Sequence, residues 1–505
     1  MRAGRLIKFS TIGAGTAVRS LFSKDSARQY LVGTLLEQSG IPAKIGQMIA
    51  MRTGIKADAP SPRLELPEVR HLIEEQCPAL AAEIEEITDH PQVASLSQVH
   101  RGRLRSGESV AIKIQFPGVT EEIDSQLDDF LALAARSPAR AFGFSRDGWR
   151  GFLTEKLREE LDYRQEAIYQ QEARRSFSGT QIIVPEIFSQ FSTARILTQS
   201  FEPATSVNDV AQTEIRATAA ASLMVEYLAS SLFDHRLIHC DLNPGNYGFR
   251  KSGNITNMVL YDFGAMQRIE SLHASTLARM VVVAAAGSSA AELDWGPLLT
   301  SLGFDESKLK TIRAGIGAVM ASLLQPFTGD TRWDPGSWQP GREIDKNLGD
   351  GRWWFRMAGP PWFLYLMRSV QGWHSGLKTL GVEVDTRPLS DTAKQIADRA
   401  GVWTPQRQTP HESNNSIHSR PQWKSSHLKV KVTEGAETVV EVEMPVAAIE
   451  NLPDLVPDEV HAMIRNRGID LATVSADLVQ QGAPPGVVFE ENAGKRIYRV
   501  WLEKK

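Results

Sequence analysis

The sequence has little cysteine and no long apolar segment, and these two absences exclude several classes of protein. Only Cys77 and Cys240 are present, so no disulfide framework is indicated and a reducing compartment fits. The longest apolar run, residues 280–286, is too short to span a bilayer. A net charge of −4 argues against a nucleic-acid-binding protein. Because 505 residues are too many for one core, we expect two or three domains.

Two short segments carry the strongest chemical signal. Residues 239–246 read His-Cys-Asp-Leu-Asn-Pro-Gly-Asn, and residues 261–264 read Tyr-Asp-Phe-Gly. An Asp followed five residues later by an Asn, then an Asp-Phe-Gly after an apolar strand, is typical of a kinase-like phosphoryl-transfer site. Asp241 would lie near the attacking group, while Asn246 and Asp262 would bind Mg²⁺ on the nucleotide phosphates. The alternative is two ordinary turns that contain Asp.

A lysine and a glutamate that could complete such a site lie upstream. Residues 97–115 predict a β-hairpin, and Lys113 on its second strand can reach the α- and β-phosphates of a nucleotide. The plainer alternative is an edge-strand lysine that blocks aggregation. Residues 154–174 predict a helix that contains Glu160 and Glu166. These two glutamates would lie about 240° apart around the helix, so only one of them could serve Lys113.

Together these segments resemble the UbiB/AarF family of atypical kinase-like proteins. The likeness is close over residues 35–267 and looser to about residue 400. It rests on five segments in order, which are 44–47 (Lys-Ile-Gly-Gln), 97–119, 160–167, 239–246 and 261–264. The resemblance implies an α+β, protein-kinase-like two-lobed fold that uses ATP or ADP with Mg²⁺.

The resemblance also implies a role for each matching residue. Lys113 would pair with Glu166, and Asp241 would be the base or the water-positioning group. The nucleotide would be bound by Ala94, Ser95, Lys113, Gln199, Asn246 and Asp262, of which Asn246 and Asp262 would also bind the metal. Gln199 opens the predicted hinge, residues 199–203, whose backbone would meet the adenine.

A regulatory set is implied by the same resemblance. Lys44 would pair with Glu160 and Asp162 and, together with Gly46 and Gln47, would close the N-terminal extension over the site. The nucleotide loop departs from the family pattern, because only Ala94 and Ser95 persist from its alanine-rich segment and bulkier residues precede them. The preference between ATP and ADP therefore stays open.

The composition of the chain suggests five regions. They are a helical N-terminal extension (1–90), a nucleotide lobe with a helical insertion (91–200), a helical catalytic lobe (201–403), a polar linker (404–426) and a small α/β domain (427–505). The last region predicts two hairpins and two helices, and we interpret it as a module that binds a protein partner or regulates the enzyme. A Trp-rich stretch, residues 329–359, predicts a loop with aromatic anchors. It fits either a plain core or an apolar surface for an isoprenoid or acyl tail.

The first 30 residues are basic and dotted with apolar side chains. Six basic residues stand against one acidic residue, namely Arg2, Arg5, Lys8, Arg19, Lys24 and Arg28 against Asp25. This pattern fits an amphipathic element at an anionic membrane surface, a transit peptide, or a helix packed on the rest of the protein. We expect a cytoplasmic protein without a transmembrane segment, and peripheral membrane association is one of the open interpretations.

Two classes of function follow from these observations. The first is an ATPase or a small-molecule or lipid kinase that supports isoprenoid quinone or membrane-lipid metabolism, as the resemblance implies. The second is a nucleotide-binding regulatory pseudokinase with little turnover, in which the segment around Lys44 blocks the site. The presence of Asp241, Asn246 and Asp262 favours the enzyme, whereas the altered nucleotide loop keeps the regulator open. The segment after Gly264 contains no Ala-Pro-Glu, which lowers the expectation of a peptide substrate.

Overall fold

The fold is described from a computed structural model of the chain. The described residues are 63–94, 96–118, 158, 161–286, 290–327, 332–348, 355, 358–400, 423–435, 437–446, 449, 452, 456, 458–493 and 496–504. They fall into two compact units, one within residues 63–400 and one within residues 423–504. The described residues of the candidate site all lie in the first, larger unit.

An antiparallel sheet of five strands, backed by two short helices, opens the larger unit. In chain order these elements are α1 (Leu66–Gln76), α2 (Pro78–Glu83), β1 (Ile84–Ile87), β2 (Gln92–Val93), β3 (Ser97–Leu104), β4 (Ser109–Gln115) and β6 (Ile196–Ser200). The strand order is β1-β3-β4-β6, with β2 paired to β3. Alternate residues of β4, which are Val110, Ile112 and Ile114, are buried against the helices. Lys113 therefore points to the opposite face of the sheet.

The sheet begins at Ile84, earlier than the end of the expected helical extension at residue 90. Ile84 and Ile87 are buried at the two ends of β1 and two glutamates between them are exposed. Gly102 on β3 allows this close pairing, because a Cβ there would lie 2.9 Å from Ile84 Cδ1 and 3.0 Å from Glu86 O. Local helical propensity is overridden here by strand pairing.

A helix that carries Glu166 packs beside this sheet. Helix α3 (Tyr163–Ser176) starts after Asp162, which has extended φ and ψ and accepts a hydrogen bond from Arg164 N. The continuous helix that we expected over residues 154–174 is therefore interrupted at Asp162. Aspartate is a favourable helix N-cap, and its side chain satisfies a backbone N–H that the first turn leaves free.

The second part of the larger unit is built around an alanine-rich helix. Helix α5 (Glu214–Ala229) continues as a π-helical turn (Ser230–Asp234) and lies at the centre of the main core. It is preceded by the short helix α4 (Val207–Val210). Small alanine side chains let neighbouring elements approach α5 closely, which suits a helix that is surrounded on most sides.

Two small sheets carry the catalytic segments. They contain β5 (Ile182–Ile183), β7 (Leu237–His239), β8 (Tyr247–Ser252), β9 (Ile255–Leu260) and β10 (Met266–Arg268). One sheet has the order β5-β9-β8, and the other pairs β7 with β10. We expected β5 in the nucleotide lobe, but it pairs in parallel with β9 because Ile182 is buried in the main core. Strand β10 follows Gly264 before the next helix begins.

The remaining elements of the larger unit are mostly helical. They are α6 (Ser271–Ala285), α7 (Gly296–Ser301), α8 (Glu306–Thr311), α9 (Arg313–Leu324), β11 (Arg332–Trp333), α10 (Pro340–Leu348), α11 (Pro361–Leu380), β12 (Val384–Asp385) and α12 (Arg387–Arg399). Where the structure describes the Trp-rich stretch, Trp333 and Trp338 are buried, and Trp333 stacks on Trp373 at 5.6 Å between ring centroids. These two anchors belong to the core. None of the described helices is both long and apolar enough to cross a bilayer.

In its described residues, the smaller unit contains one antiparallel sheet and two helices. Its elements are β13 (His427–Glu434), β14 (Glu437–Pro445), α13 (Asp458–Asn466), α14 (Leu471–Gln480), β15 (Gly486–Ala493) and β16 (Arg496–Glu503). The two hairpins join through β13 and β16, which gives the order β14-β13-β16-β15. Leu428, Ile449, Leu452 and Leu471 are among its fully buried core residues.

We predict that residues 423–505 fold as a separate polypeptide, because they contain their own apolar core and a closed set of strand pairings. Chemical denaturation followed by circular dichroism should show a cooperative transition. Replacing the buried Leu428 by Ala should lower the free energy of unfolding by about 2–5 kcal/mol. Val487→Ala, at an exposed position on β15, is the matched control and should have a small effect. A gradual, non-cooperative transition would contradict the prediction.

We also predict that Gly372→Ala destabilises the larger unit. A Cβ at Gly372 on α11 would lie 2.6 Å from the carbonyl oxygen of Leu242, so the helix or the loop must move. Such overpacking typically costs about 1–3 kcal/mol, more than alanine gains in a helix. Gly341→Ala on α10, where a Cβ meets nothing within 4 Å, should leave stability unchanged or slightly higher. Thermal unfolding of both variants tests this, and equal melting temperatures would refute it.

Candidate active site

A buried ion cluster joins three separate parts of the chain. Lys113 Nζ on β4 lies 2.9 Å from both carboxylate oxygens of Glu166 on α3 and 3.1 Å from Asp262 Oδ1. The Tyr163 ring lies under the ammonium, with its centroid 5.0 Å from Nζ. Glu166 is almost completely buried, and the Lys113 side chain is 14% exposed. The sheet, the helix and the Asp-Phe-Gly segment are therefore held together by one lysine.

Hydrogen bonds from its own backbone N–H groups hold the Asp-Phe-Gly segment in place. Asp262 has a φ of 49°, and its Oδ1 accepts a hydrogen bond from Gly264 N at 3.1 Å. Positive φ is uncommon for a residue other than glycine, but aspartate tolerates it because its short side chain bonds locally. Phe263 N donates to Glu166 Oε1 at 3.2 Å, and the Phe263 ring is fully buried. Glu166 thus orients both Lys113 and the segment that carries Asp262.

The pKa values of the groups in this cluster are strongly shifted, both by burial and by the neighbouring charges. Burial favours the neutral form of Lys113, but Asp262 and Glu166 outweigh it and hold the pKa of the lysine well above its usual value. Burial raises the pKa of Glu166 to about 7, while Lys113 and the Phe263 N–H act in the opposite direction. Burial and charge therefore act in opposite directions on the pKa values of this lysine and this glutamate.

The second half of the site is the loop between β7 and β8. Asp241 Oδ1 accepts from Asn243 Nδ2 at 2.7 Å. Asn246 Nδ2 donates to the Asp241 backbone oxygen at 2.8 Å and to Asp241 Oδ2 at 3.2 Å. These bonds turn the amide nitrogen of Asn246 toward Asp241 and leave its oxygen facing away, as a metal ligand requires. Arg368 Nη2 on α11 lies 3.2 Å from Asp241 Oδ1.

A buried histidine links the two halves. His239 Nδ1 accepts a hydrogen bond from Asp241 N at 3.2 Å, and its Nε2 lies 3.1 Å from Tyr261 O, to which it donates. The ring also packs against Phe263, with 5.8 Å between centroids. The loop that carries Asp241 and the segment that carries Asp262 are therefore fixed relative to each other through His239.

The oxygen ligands present suit a metal that is bound together with a nucleotide. Mg²⁺ prefers hard oxygen ligands and usually keeps phosphate and water among them. Asp262 offers a carboxylate that is 40% exposed, and Asn246 offers an amide oxygen. Within the described parts of the chain, no three His, Cys, Asp or Glu residues cluster closely enough to hold a metal alone. This agrees with a metal site in which two protein ligands are completed by phosphate oxygens of the nucleotide.

Three further residues of the predicted site are described by the structure, each with its own local contacts. Ala94 follows β2 and is exposed, with its N–H donating to Ser97 O at 2.8 Å. Gln199 lies on β6 opposite Ala111, and its Oε1 accepts from Gln170 Nε2 at 2.6 Å. Asp162 caps α3 and pairs with Arg164 at 2.9 Å. Ser95, Lys44, Gly46, Gln47 and Glu160 lie outside the described residues, so the expected pairing of Lys44 stays a prediction.

Three residues that contribute contacts to the site were not identified from the sequence. Tyr163 supplies the ring under Lys113, Gln170 bonds the hinge residue Gln199, and Arg368 pairs with Asp241. Gln170 follows Glu166 by four residues on α3, so helical spacing could have identified it. Arg368 lies 127 residues from Asp241, and no local pattern connects the two.

Comparisons with known proteins agree with this geometry. Residues 59–291 match the ABC1 atypical kinase-like domain. The chain is 26% identical over 263 residues to the mitochondrial atypical kinase coq-8 of Caenorhabditis elegans. This aligned region covers 48% of this chain and 35% of that protein. The chain is also 27% identical over 299 residues to the mitochondrial atypical kinase COQ8B of Danio rerio, and that aligned region covers 55% of this chain and 47% of that protein. The chain thus spans between a third and a half of these relatives.

A solved structure shares the fold. The complex of Rv3197 with erythromycin from Mycobacterium tuberculosis superposes with a TM-score of 0.50 at 19% identity, over 75% of this chain and 97% of that one. The family resemblance inferred from the sequence and the kinase-like α+β fold class are both confirmed.

We predict that Glu166 gives the protein a measurable pH dependence of stability. The pKa of Glu166 is higher in the native protein than in an unfolded chain, so the native state binds a proton that the unfolded state releases. This stabilisation is present below about pH 4.5 and is lost as the pH rises toward about 7. Glu166→Gln mimics the protonated form at all pH values.

The free energy of unfolding of the wild type should therefore fall relative to Glu166→Gln between pH 5 and 8, by up to a few kcal/mol. Urea denaturation across this pH range measures the difference. Glu172→Gln, on the same helix, reports the general effect of removing a helix carboxylate. A difference that rises with pH would show that the pKa of Glu166 is lowered rather than raised.

Proposed function

The chain carries an ABC1 atypical kinase-like domain at residues 59–291, and from this premise we propose that it binds a nucleotide with Mg²⁺ and transfers or hydrolyses the terminal phosphoryl group. The observation that supports this most is the convergence of Lys113, Glu166 and Asp262 within 3.1 Å. Buried, charge-paired groups with strongly shifted pKa values are concentrated at functional sites. The loop that holds Asp241 and Asn246 supplies the remaining groups.

In this proposal each group has one task. Lys113 contacts the α- and β-phosphates, and the backbone of residues 199–203 meets the adenine. Asn246 and Asp262 hold Mg²⁺, which neutralises charge on the phosphates when it is bound. Glu166 keeps Lys113 oriented while the nucleotide enters. Asp262 is far more exposed than Glu166, so it is the carboxylate that can exchange its contact with Lys113 for a metal.

The transfer step then requires little more than positioning. The oxygen of a water or an acceptor hydroxyl attacks the terminal phosphorus, and a new P–O bond forms. The bond between that phosphorus and the bridging oxygen breaks, and its electron pair leaves with the nucleoside diphosphate. Asp241 orients the attacking O–H and accepts its proton.

We propose that the acceptor is water or a small molecule or lipid rather than a peptide. The chain passes from Gly264 through β10 directly into α6, which leaves no long segment beside the site to hold an extended peptide. An isoprenoid or membrane lipid acceptor, and peripheral contact with a membrane, rest on the family resemblance. The smaller C-terminal unit would then bind a protein partner.

One observation favours a second function, that of a nucleotide-binding regulator with little turnover. The metal-binding acid is engaged by a cation, because Asp262 pairs with Lys113. A protein in which this pair persists with nucleotide bound would bind without transfer. Comparing nucleotide binding with phosphate release in the wild type separates the two functions, because only the enzyme shows both.

We predict that Asp262→Asn abolishes the Mg²⁺-dependent part of nucleotide binding. The substitution removes the charged metal ligand, so the affinity for ATP and ADP should fall at least about 10-fold in the presence of Mg²⁺ and little in its absence. Titration calorimetry with and without Mg²⁺ measures this. Asp391→Asn, at an exposed position on α12, is the control and should bind as the wild type does. Unchanged Mg²⁺-ATP affinity in a folded Asp262→Asn variant would rule out the proposed site.

A further inference from the structure

An arginine outside the matched family region reaches the proposed catalytic aspartate. Arg368 lies on α11, beyond residue 291 where the ABC1 match ends. Its Nη2 is 3.2 Å from Asp241 Oδ1, and both side chains are largely buried, at 19% and 15% exposed. An ion pair that is partly removed from water is screened less than a surface pair and holds a better-defined geometry.

One face of α11 lies directly against the loop that carries Asp241. Arg368, Gly372 and Gly376 follow each other at intervals of four residues, so they lie on the same face of the helix. A Cβ at Gly372 would lie 2.6 Å from Leu242 O, and one at Gly376 would lie 2.1 Å from Tyr247 Oη. Leu242 lies in the loop, and Tyr247 is the first residue of β8. The two glycines therefore allow the helix to approach both the loop and the start of β8 closely.

The position of this helix is fixed by other residues. Trp373 is fully buried and its Nε1 donates to Met224 O on α5 at 3.0 Å. Val370 and Leu377 of the same helix are also buried in the main core. Trp373 and these apolar side chains therefore anchor α11.

The contacts of Asp241 indicate the role of Arg368. Its Oδ1 accepts from Asn243 at 2.7 Å and from Arg368 at 3.2 Å, whereas Oδ2 accepts from Asn246 alone among the described contacts, at 3.2 Å. Two donors on Oδ1 leave Oδ2 as the oxygen with more capacity for a further hydrogen bond. Arg368 contributes a donor that comes from outside the loop and a positive charge that keeps the carboxylate rotamer in place.

We propose that Arg368 is a positioning residue for phosphoryl transfer, which holds Asp241 so that Oδ2 faces the O–H of the water or acceptor. This inference rests on the proposed function. It predicts that Arg368 affects the chemical step more than nucleotide binding, because it acts through Asp241 and not on the nucleotide. Its guanidinium provides directed N–H groups, which the single ammonium of a lysine reproduces only in part.

The test compares full-length wild type, Arg368→Gln, Arg368→Lys and the control Arg387→Gln. The control removes an exposed Arg–Asp pair at the start of α12, in the same unit. For each protein, Mg²⁺-ATP affinity, kcat for phosphate release and the pH profile of kcat are measured. Arg368→Gln should lower kcat by roughly 10- to 100-fold, as a misplaced reacting group does, while affinity changes by no more than about 3-fold.

Arg368→Lys should recover part of kcat, and the pH profile of kcat should differ between Arg368→Gln and the wild type. Arg387→Gln should match the wild type in all three measurements. If Arg368→Gln does not fold, the proposal is tested by comparing kcat of Arg368→Lys with kcat of the wild type. The lysine keeps the positive charge but loses the directed N–H groups, so kcat should still fall.

The possible failures are distinguishable. Wild-type protein without Mg²⁺-dependent nucleotide binding overturns the proposed function and this inference with it. Wild-type protein that binds nucleotide but releases no phosphate overturns the inference and leaves nucleotide binding intact. An active wild type with an unchanged kcat in Arg368→Gln overturns the inference alone. A parallel loss of affinity and kcat would show that Arg368 contacts the nucleotide, which also overturns it.

Discussion

The buried ammonium of Lys113 is the interaction on which the rest of the site depends. A charge away from water is tolerated only when it is paired, and Lys113 is paired with Glu166 and Asp262. Losing one partner of a buried pair typically costs about 3–5 kcal/mol, because the other charge is left uncompensated. The β-sheet, helix α3 and the Asp-Phe-Gly segment are therefore linked through this one lysine.

The two acids around Lys113 are not equivalent. Glu166 is 1% exposed and is also bound by the Phe263 N–H, whereas Asp262 is 40% exposed and sits in a left-handed backbone conformation. Such a conformation costs of order 1–3 kcal/mol and persists only where the surroundings hold it. The buried glutamate contacts both the lysine and the Phe263 N–H, whereas the aspartate is the more accessible of the two carboxylates.

A second support for the site comes from the C-terminal part of the larger unit. Helix α11 lies on the loop of Asp241 through Gly372 and Gly376, and Trp373 fixes the helix to α5. The acidic group that would direct the attacking oxygen is thereby held by a helix outside the ABC1 match. Changes in α11 should affect chemistry even though no recognisable motif lies there.

Local patterns were sufficient for much of the fold. The hairpin that carries Lys113, the strand before Asp262 and the two hairpins of the smaller unit follow from alternation and turn residues, which act over a few positions. Helical spacing left Glu160 and Glu166 as alternatives for Lys113, and the family resemblance implied Glu166, which Lys113 contacts.

What the sequence by itself determined, therefore, is the identity of the elements and the chemistry of the matching motifs. Only the tertiary structure decided that the helix breaks at Asp162, that β5 pairs with β9, and that Arg368 reaches Asp241. Capping of α3 by Asp162 competes with continuation of the helix through this residue. A strand as short as β5 pairs with the neighbour that allows its side chains to be buried. An ion pair between residues 127 apart depends on how whole helices pack. Each of these outcomes is a balance of free energies over distant residues, which no local pattern contains.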